Sequence, residues 1–476
     1  MGIKYSQDIT LSDILQVEND VSFLEFRCPE TGVLLWPLIR MQFFRSIISD
    51  FFYETSMISS NDRNFTRILS TSVKAIFHNA MNRRYAKGKI LIIASGAGHI
   101  LKKDCWFNRL SDYFAFVLRN ETVVMEDHFK WNLPYPRYNQ KVIYSTPILL
   151  LNALSGRVMV KSHHFEISKK IINFAEKRAN DLLNWEIDNK RFTFLQEYLA
   201  RIIAAIPVTR KNYEQLLLRT GAKLVIKEEG CYGHSSVFNS TARKLGVVTA
   251  EYQHGGISSG HDAYNLAPLI VKSETYRHTL PDYFLGYGQW WNDQINVPVT
   301  KLAIGNPHRS EKIAKLHKTA CSKRDILILG DGFETEMYLG FATELSRIIG
   351  DKLRVVFRPH PIERAKIQYE SGNGIHIDMN TDIFDSFKTA RIVVSEASTG
   401  LFEAIGIVER IFIRITGKAR FYFPKHPFET FVDVDDLSEK VKDPSIGIIT
   451  PEDITQIWAP DWRGNYLKFI NNVNCV

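Results

Sequence analysis

RDILILGDG, residues 324–332, decides how the chain divides. Four consecutive apolar residues, Ile326 to Leu329, run into the turn Gly330-Asp331-Gly332. A polar, basic stretch, NPHRSEKIAKLHKTACSKRD (306–325), leads into it. Working back from there, KGKILIIASGAGHI (87–100) has the same form, so the chain starts a strand series twice. Continuous apolar strands are what a parallel sheet covered on both faces requires. The first series continues through ETVVMED (121–127), KLVIKEEG (223–230), GVVTAEYQHG (246–255) and TKLAIGNP (300–307), with helical patterns at 167–183 and 209–221 between them. The second continues through KLRVVFRPHP (352–361), GIHIDMN (374–380), RIVVSEASTG (391–400) and ERIFIRI (409–415). Alternation of this kind predicts α/β architecture. We expect two doubly wound, Rossmann-like domains facing a cleft, over 86–310 and 311–476, with a helical N-terminal segment over 1–85. A C-terminal helix around 451–472 is expected to cross back to the first domain.

The 476 residues suffice for two or three domains and a large core. The net charge of +8, from 60 basic and 52 acidic residues, suits anionic substrates or loose attraction to an anionic membrane, and an excess that small also needs no partner. Cys28, Cys105, Cys231, Cys321 and Cys475 are scattered without a C-x-x-C pair, which argues for a reducing, cytoplasmic setting and against a structural zinc site. No apolar run reaches the roughly 20 residues of a membrane span, so any contact with the inner membrane is expected to be peripheral. VLLWPLIRMQFFRSIISDFF (33–52) reads as a core helix, with a membrane surface as the minor alternative. The basic residues form no stripe interleaved with aromatics, which argues against nucleic acid as a partner.

Open parallel sheets bind ligands at the carboxyl ends of their strands, and several motifs lie there. In FRPHP (357–361), Pro359 and Pro361 fix the backbone around His360. Arg358 and His360 are placed either to meet a phosphate or to cap a surface turn. In VVSEASTGLFEA (393–404), Ser395, Ser398, Thr399 and Gly400 put hydroxyls and N–H groups at a helix start. Glu403 follows Thr399 by four residues on the same face, where it suits a ribose diol or completes a plain cap. Gly330, Asp331 and Gly332 allow close backbone approach to a phosphate, or simply make a tight turn. Gly98, in GAGH, belongs to a substrate-facing loop after the first strand, and lacks the third glycine of a dinucleotide fingerprint. VDVDD (432–436) reads as acids at a helix start rather than a metal pair. Two adjacent acids, Glu228 and Glu229, end another strand, and in an extended chain only one of them can face the cleft. Gln253, His254 and Gly255 end the next.

Taken in order, EEG (228–230), His360-Pro361 and SEAST (395–399) resemble the motif set of bacterial sialyltransferases of the GT-B fold. TARKLGVVTAEYQHG (241–255) is similar to a wider group of capsule and O-antigen synthesis proteins that includes Kdo transferases and CDP-polyol phosphotransferases. The resemblance implies an inverting transferase that moves a sialic-acid-like sugar (a nonulosonic acid or Kdo) from a CMP-sugar to a glycan hydroxyl, free or lipid-linked, with no cofactor and no metal. Glu228 would be the general base. His360 would hold or protonate the departing phosphate, with Arg358 and Pro361 beside it. Ser395, Ser398 and Thr399 would bind the nucleotide phosphate, and Glu229, Gln253, His254 and Gly255 would line the acceptor side. A CDP-polyol phosphotransferase, or a non-catalytic polysaccharide-assembly protein, would use the same cleft.

Overall fold

The apolar runs form the centres of two sheets in a computed structural model, which describes residues 8–53, 64–83, 86–316, 323–364, 367 and 374–474. In chain order the strands are β1 (Ile90–Ala94), β2 (His99–Lys102), β3 (Cys105–Asn108), β4 (Thr122–Glu126), β5 (Val142–Tyr144), β6 (Leu224–Lys227), β7 (Val248–Tyr252), β8 (Tyr283–Gly286) and β9 (Thr300–Ala303). They continue as β10 (Asp325–Leu329), β11 (Arg354–Arg358), β12 (Ile375–Ile377), β13 (Ala390–Ser395), β14 (Arg410–Arg414) and β15 (Glu429–Phe431). The first sheet runs β5-β4-β1-β6-β7-β8-β9 and the second β12-β11-β10-β13-β14-β15. Every pairing within both sheets is parallel. Each sheet starts in its middle and winds outward both ways, so the order reverses between β1 and β6 and again between β10 and β13. Ligand crevices of doubly wound sheets open at such reversals.

β1, β4 and β10 are buried at every position, with apolar centres and, in β4 and β10, buried polar residues at their ends. The antiparallel hairpin of β2 and β3 has no counterpart in the sequence reading. Its turn, Lys103-Asp104, takes positive φ at both residues (50° and 60°) without the glycine that marks such turns. The helix read as starting near 209 instead begins at Asn189 and runs to Thr220 through Pro207. Leu199, Ile203 and Ile206 on one side of the proline and Leu216 and Leu217 on the other are all buried. Their packing outweighs the hydrogen bond that proline removes.

The helix Trp36–Phe52 is core, buried at fourteen of its seventeen positions. Arg40 is sunk beside Glu18 at 2.6 Å, and the same carboxylate accepts from Trp36 Nε1 at 2.8 Å and from the Ala267 N–H at 3.1 Å. The N-terminal segment is thereby welded to the first sheet. It also floors the acidic loop after β6, because a Cβ at Gly233 would lie 1.5 Å from the Pro37 carbonyl oxygen. At the other end, the helices Pro451–Ile457 and Trp462–Asn472 return to the first domain, where Phe469 packs on Tyr283 and Tyr466 on Phe114.

Candidate active site

The carboxyl ends of the two sheets face each other. The Gln-His-Gly-Gly turn after β7 meets the Ser-Thr turn after β13 so closely that a Cβ at Gly256 would lie 2.4 Å from Thr399 Cγ2. Farther along the seam, Ser258 Oγ donates to the Tyr422 carbonyl, and Tyr53 donates to the Tyr422 hydroxyl at 3.0 Å. Trp458 Nε1 donates to the Phe402 carbonyl at 3.2 Å.

Between the domains lies a cavity of about 100 Å3. Of the residues singled out in the sequence, His254, Gly255, Thr399 and Glu403 stand on its wall. They are joined there by Arg109, Tyr287, Asn306, His308, Arg309 and Trp458, which the sequence reading missed. The two arginines set its electrostatics. The Arg309 guanidinium stacks over the Trp458 ring at 4.4 Å and donates through Nη2 to the Ile405 carbonyl, while its buried Nε has no partner. Burial brings Arg309 down to about 9. Neither Arg109 nor Arg309 has a carboxylate within 4.0 Å among the described residues. Glu403 shares the cavity at longer range, held above its ordinary value by burial against the pull of both arginines. Burial, reinforced by Arg109, depresses His254 to about 3 and His308 to about 4, so both imidazoles are neutral at physiological pH. Two arginines, one partly and one fully buried, share the site with one carboxyl and two neutral histidines, which leaves an excess of positive charge.

Glu228 lies at the order reversal of the first sheet and accepts a hydrogen bond from the Ser95 N–H after β1. Burial, and secondarily its neighbour Glu229, lifts it to about 7. Glu229 turns the other way with φ 57° and pairs with His234 at 3.3 Å. Glu228 is not on the cavity wall, but its charge reaches Tyr287, which is.

In the second domain, His360 is half-buried, with its backbone N–H donating to the Glu363 carboxylate at 2.7 Å. Its Nδ1 accepts from the Ile362 N–H at 3.4 Å, which assigns the ring proton to Nε2. The ring lies against Gly332, where a Cβ would come within 3.1 Å of it. Pro361 is exposed beside it. Ser398 Oγ accepts from the Gly400 N–H at 3.2 Å. The helix that follows is only Gly400–Ala404, too short to present the dipole expected of a full helix start.

Other side chains named from the sequence are engaged inside the fold. Arg358 is buried between Asp378 at 3.0 Å and Ser386 at 2.7 Å. Ser395 Oγ donates to the Leu329 carbonyl at 2.8 Å, closing the β10–β13 reversal. Gln253 is fully buried, donating to the Gly255 carbonyl at 2.8 Å and accepting from the Tyr287 N–H at 2.7 Å, so it braces the turn that carries His254. Gly98 is packed against Asn108, with 2.5 Å left for a Cβ. Asp331, Glu334 and Glu396 make an acidic triplet whose centre holds the Lys418 ammonium, 2.6 Å from Asp331 and 3.5 Å from Glu396. The acids of 432–436 cap the helix Val434–Lys442, with Asp433 accepting from the Asp436 N–H at 2.9 Å.

No protein-family model and no curated protein matches the chain. Among solved structures it is similar to the wall teichoic acid polymerase TagF, with 10% identity over 91% of this chain and 92% of that one at a TM-score of 0.40. It is also similar to the UDP-GlcNAc 2-epimerase of Methanocaldococcus jannaschii, with 12% identity over 80% of this chain and 99% of that one at a TM-score of 0.43. Likeness at that level assigns neither family nor substrate; the two doubly wound domains are read from the sheets themselves.

Proposed function

We propose that the protein is an inverting, metal-independent glycosyltransferase that moves a sialic-acid-like sugar, a nonulosonic acid or Kdo, from a CMP donor to a hydroxyl of a bacterial surface glycan. The observation that carries the reading is the pair of arginines without carboxylate partners in the interdomain cavity. A nucleotide-sugar phosphate is an anion that needs that compensation, and its departure needs the same groups. In the reaction, an acceptor hydroxyl attacks the anomeric carbon from the face opposite the phosphate. Its proton passes to Glu228, the carbon–oxygen bond to CMP breaks, and the new glycosidic bond forms with inversion. A carboxyl held near 7 is matched to that task. Arg109 and Arg309 neutralise the departing phosphate, Thr399 and Glu403 hold the nucleotide side, and His360, which like Glu228 is off the cavity wall, donates to the phosphate through Nε2 once the cleft has opened. Lys418, already inside the acidic triplet, supports a mechanism without a metal, since an ammonium supplies the positive charge there.

A cavity of about 100 Å3 is below the 300–1,000 Å3 typical of ligand sites. Donor entry therefore requires the seam at Gly256 and Thr399 to open. A second reading, CDP-polyol phosphotransfer, is favoured by one observation: His254 and His308 stand on the cavity wall, whereas Glu228 does not. Product analysis with a panel of CMP-activated acids and CDP-polyols separates the two. Release of CMP with an inverted glycoside supports sugar transfer, and consumption of a CDP-polyol alone overturns it.

A further inference from the structure

The helix Phe65–Met81 is docked in the reverse of the usual sense. A surface helix normally turns its apolar stripe to the core. This one covers the edge strand β5 with polar side chains. His78 Nε2 lies 2.9 Å from the Val142 carbonyl oxygen, and Asn79 makes two 2.8 Å bonds to the Tyr144 backbone. Thr71 Oγ donates to the Trp131 carbonyl, and Ser72 and Ala75 complete the buried side. The opposite stripe is apolar and open to solvent: Leu69 is 53% exposed, Ile76 53%, Phe77 66% and Met81 81%, with Val73 between them. Their spacing at i, i+4, i+7, i+8 and i+12 puts them on one face.

The charge along this stretch of sequence has one sign, although Lys89 faces Glu121 at 3.8 Å. From Asn64 to Lys89 the sequence contains Arg67, Lys74, Arg83, Arg84, Lys87 and Lys89, and no Asp or Glu. Beside the helix is a groove of about 900 Å3 with Ile148, Leu151 and Leu218 in its lining and Arg83, Lys87 and Arg219 among the residues around it. Leu151 and Leu218 are themselves 55% and 66% exposed. No described helix is long and apolar enough to cross a membrane. At 17 residues this one is about 26 Å long and carries Lys74 at mid-length.

We propose that the helix Phe65–Met81 lies in the plane of an anionic lipid surface, with Leu69, Val73, Ile76, Phe77 and Met81 among the acyl chains and the basic residues at the headgroups. Apolar burial and headgroup charge are both needed for a stable interfacial helix, and both are present on this face. The inference does not depend on the transfer reaction, because lipid binding is read without a donor.

The test is co-sedimentation of the full chain with vesicles of phosphatidylcholine alone and of phosphatidylcholine mixed with phosphatidylglycerol. Binding is expected only to the anionic vesicles and is expected to weaken with salt. Lys74→Glu with Arg83→Glu should weaken it by at least roughly 25-fold, about fivefold for each basic residue lost. Phe77→Glu with Met81→Glu should abolish it while leaving the thermal midpoint of these exposed positions unchanged. Equal binding to neutral vesicles, no binding to either, or undiminished binding by the Phe77/Met81 variant overturns the proposal. So does concentration-dependent self-association in ultracentrifugation that this variant removes without any vesicle binding, since the face would then serve a second copy.

Discussion

Replacing Glu228 with Gln should stabilise the protein while removing its activity. The carboxyl sits at about 7 against an ordinary 4.5, chiefly through burial. The folded state therefore holds the proton that the unfolded state has released between those values. Between 4.5 and 7 the unfolded chain binds fewer protons than the folded one, so stability falls as pH rises through this window. At about 1.4 kcal/mol for each tenfold change in proton affinity, the loss above pH 7 reaches at most about 3 kcal/mol. Gln copies the neutral acid, and its Oε1 can still accept from the Ser95 N–H. The variant should thus match the wild type near pH 4.5 and exceed it by up to about 3 kcal/mol near pH 8, read as paired urea midpoints. Transfer, which in the wild type should rise with pH through about 7, should fall about 10²–10⁴-fold in the variant. Equal midpoints at both pH values would refute the burial argument. Undiminished transfer by a folded variant would remove Glu228 as the base.

Other perturbations have equally definite outcomes. His254, His261 and His308 are held neutral at about 3, 4 and 4, so each should cost about 1.4 kcal/mol of stability per pH unit as pH falls below 6.5. Glu228 and Glu251, both near 7, gain over the same fall down to 4.5 and offset part of that loss. His308→Gln should make the stability profile shallower by about 1.4 kcal/mol per pH unit between about 6.5 and 4, read from urea midpoints; a profile as steep as before contradicts its neutrality. Glu18→Gln leaves Arg40 buried without its counter-charge and should cost about 3–5 kcal/mol in denaturant titration. Gly233→Ala puts a Cβ 1.5 Å from the Pro37 carbonyl oxygen, backbone against backbone, and should destabilise by well over 1 kcal/mol. Gly256→Ala meets the Thr399 side chain, its methyl at 2.4 Å and its Cβ at 3.2 Å, rather than backbone, and should cost less stability than Gly233→Ala while altering donor affinity.

The strands were legible because a parallel strand covered on both faces has a continuous apolar run at its centre, and β1, β4, β10 and β13 all carry that mark. The glycine turns, the acidic pair and the Ser-Thr turn were legible because they end such strands. The cavity's arginines were not. Arg309 lies in NPHRSEK, whose polarity reads as a boundary, although the same strand-end rule applied to β9 points to it. Arg109 follows a hairpin with no glycine in its turn, so nothing local announces it. Arg358 and Asp331 stand at strand ends, yet partners distant in sequence, Asp378 and Lys418, absorb their charges. Sequence position alone cannot distinguish a charge kept for a ligand from one neutralised by the fold. The exposed stripe of Phe65–Met81 has ordinary helical spacing, and only docking on β5 reveals that the apolar side faces out.

The central claim is that Arg109 and Arg309 await the anion of a nucleotide donor. Calorimetric titration of CMP into the wild type and into Arg309→Met tests it most directly. Losing a charge-assisted contact of about 1.5–3 kcal/mol should weaken binding roughly 10- to 150-fold. The fold should hold, because Met fills the place of a buried cation whose Nε has no partner. Equal CMP affinity in the two proteins would contradict the account.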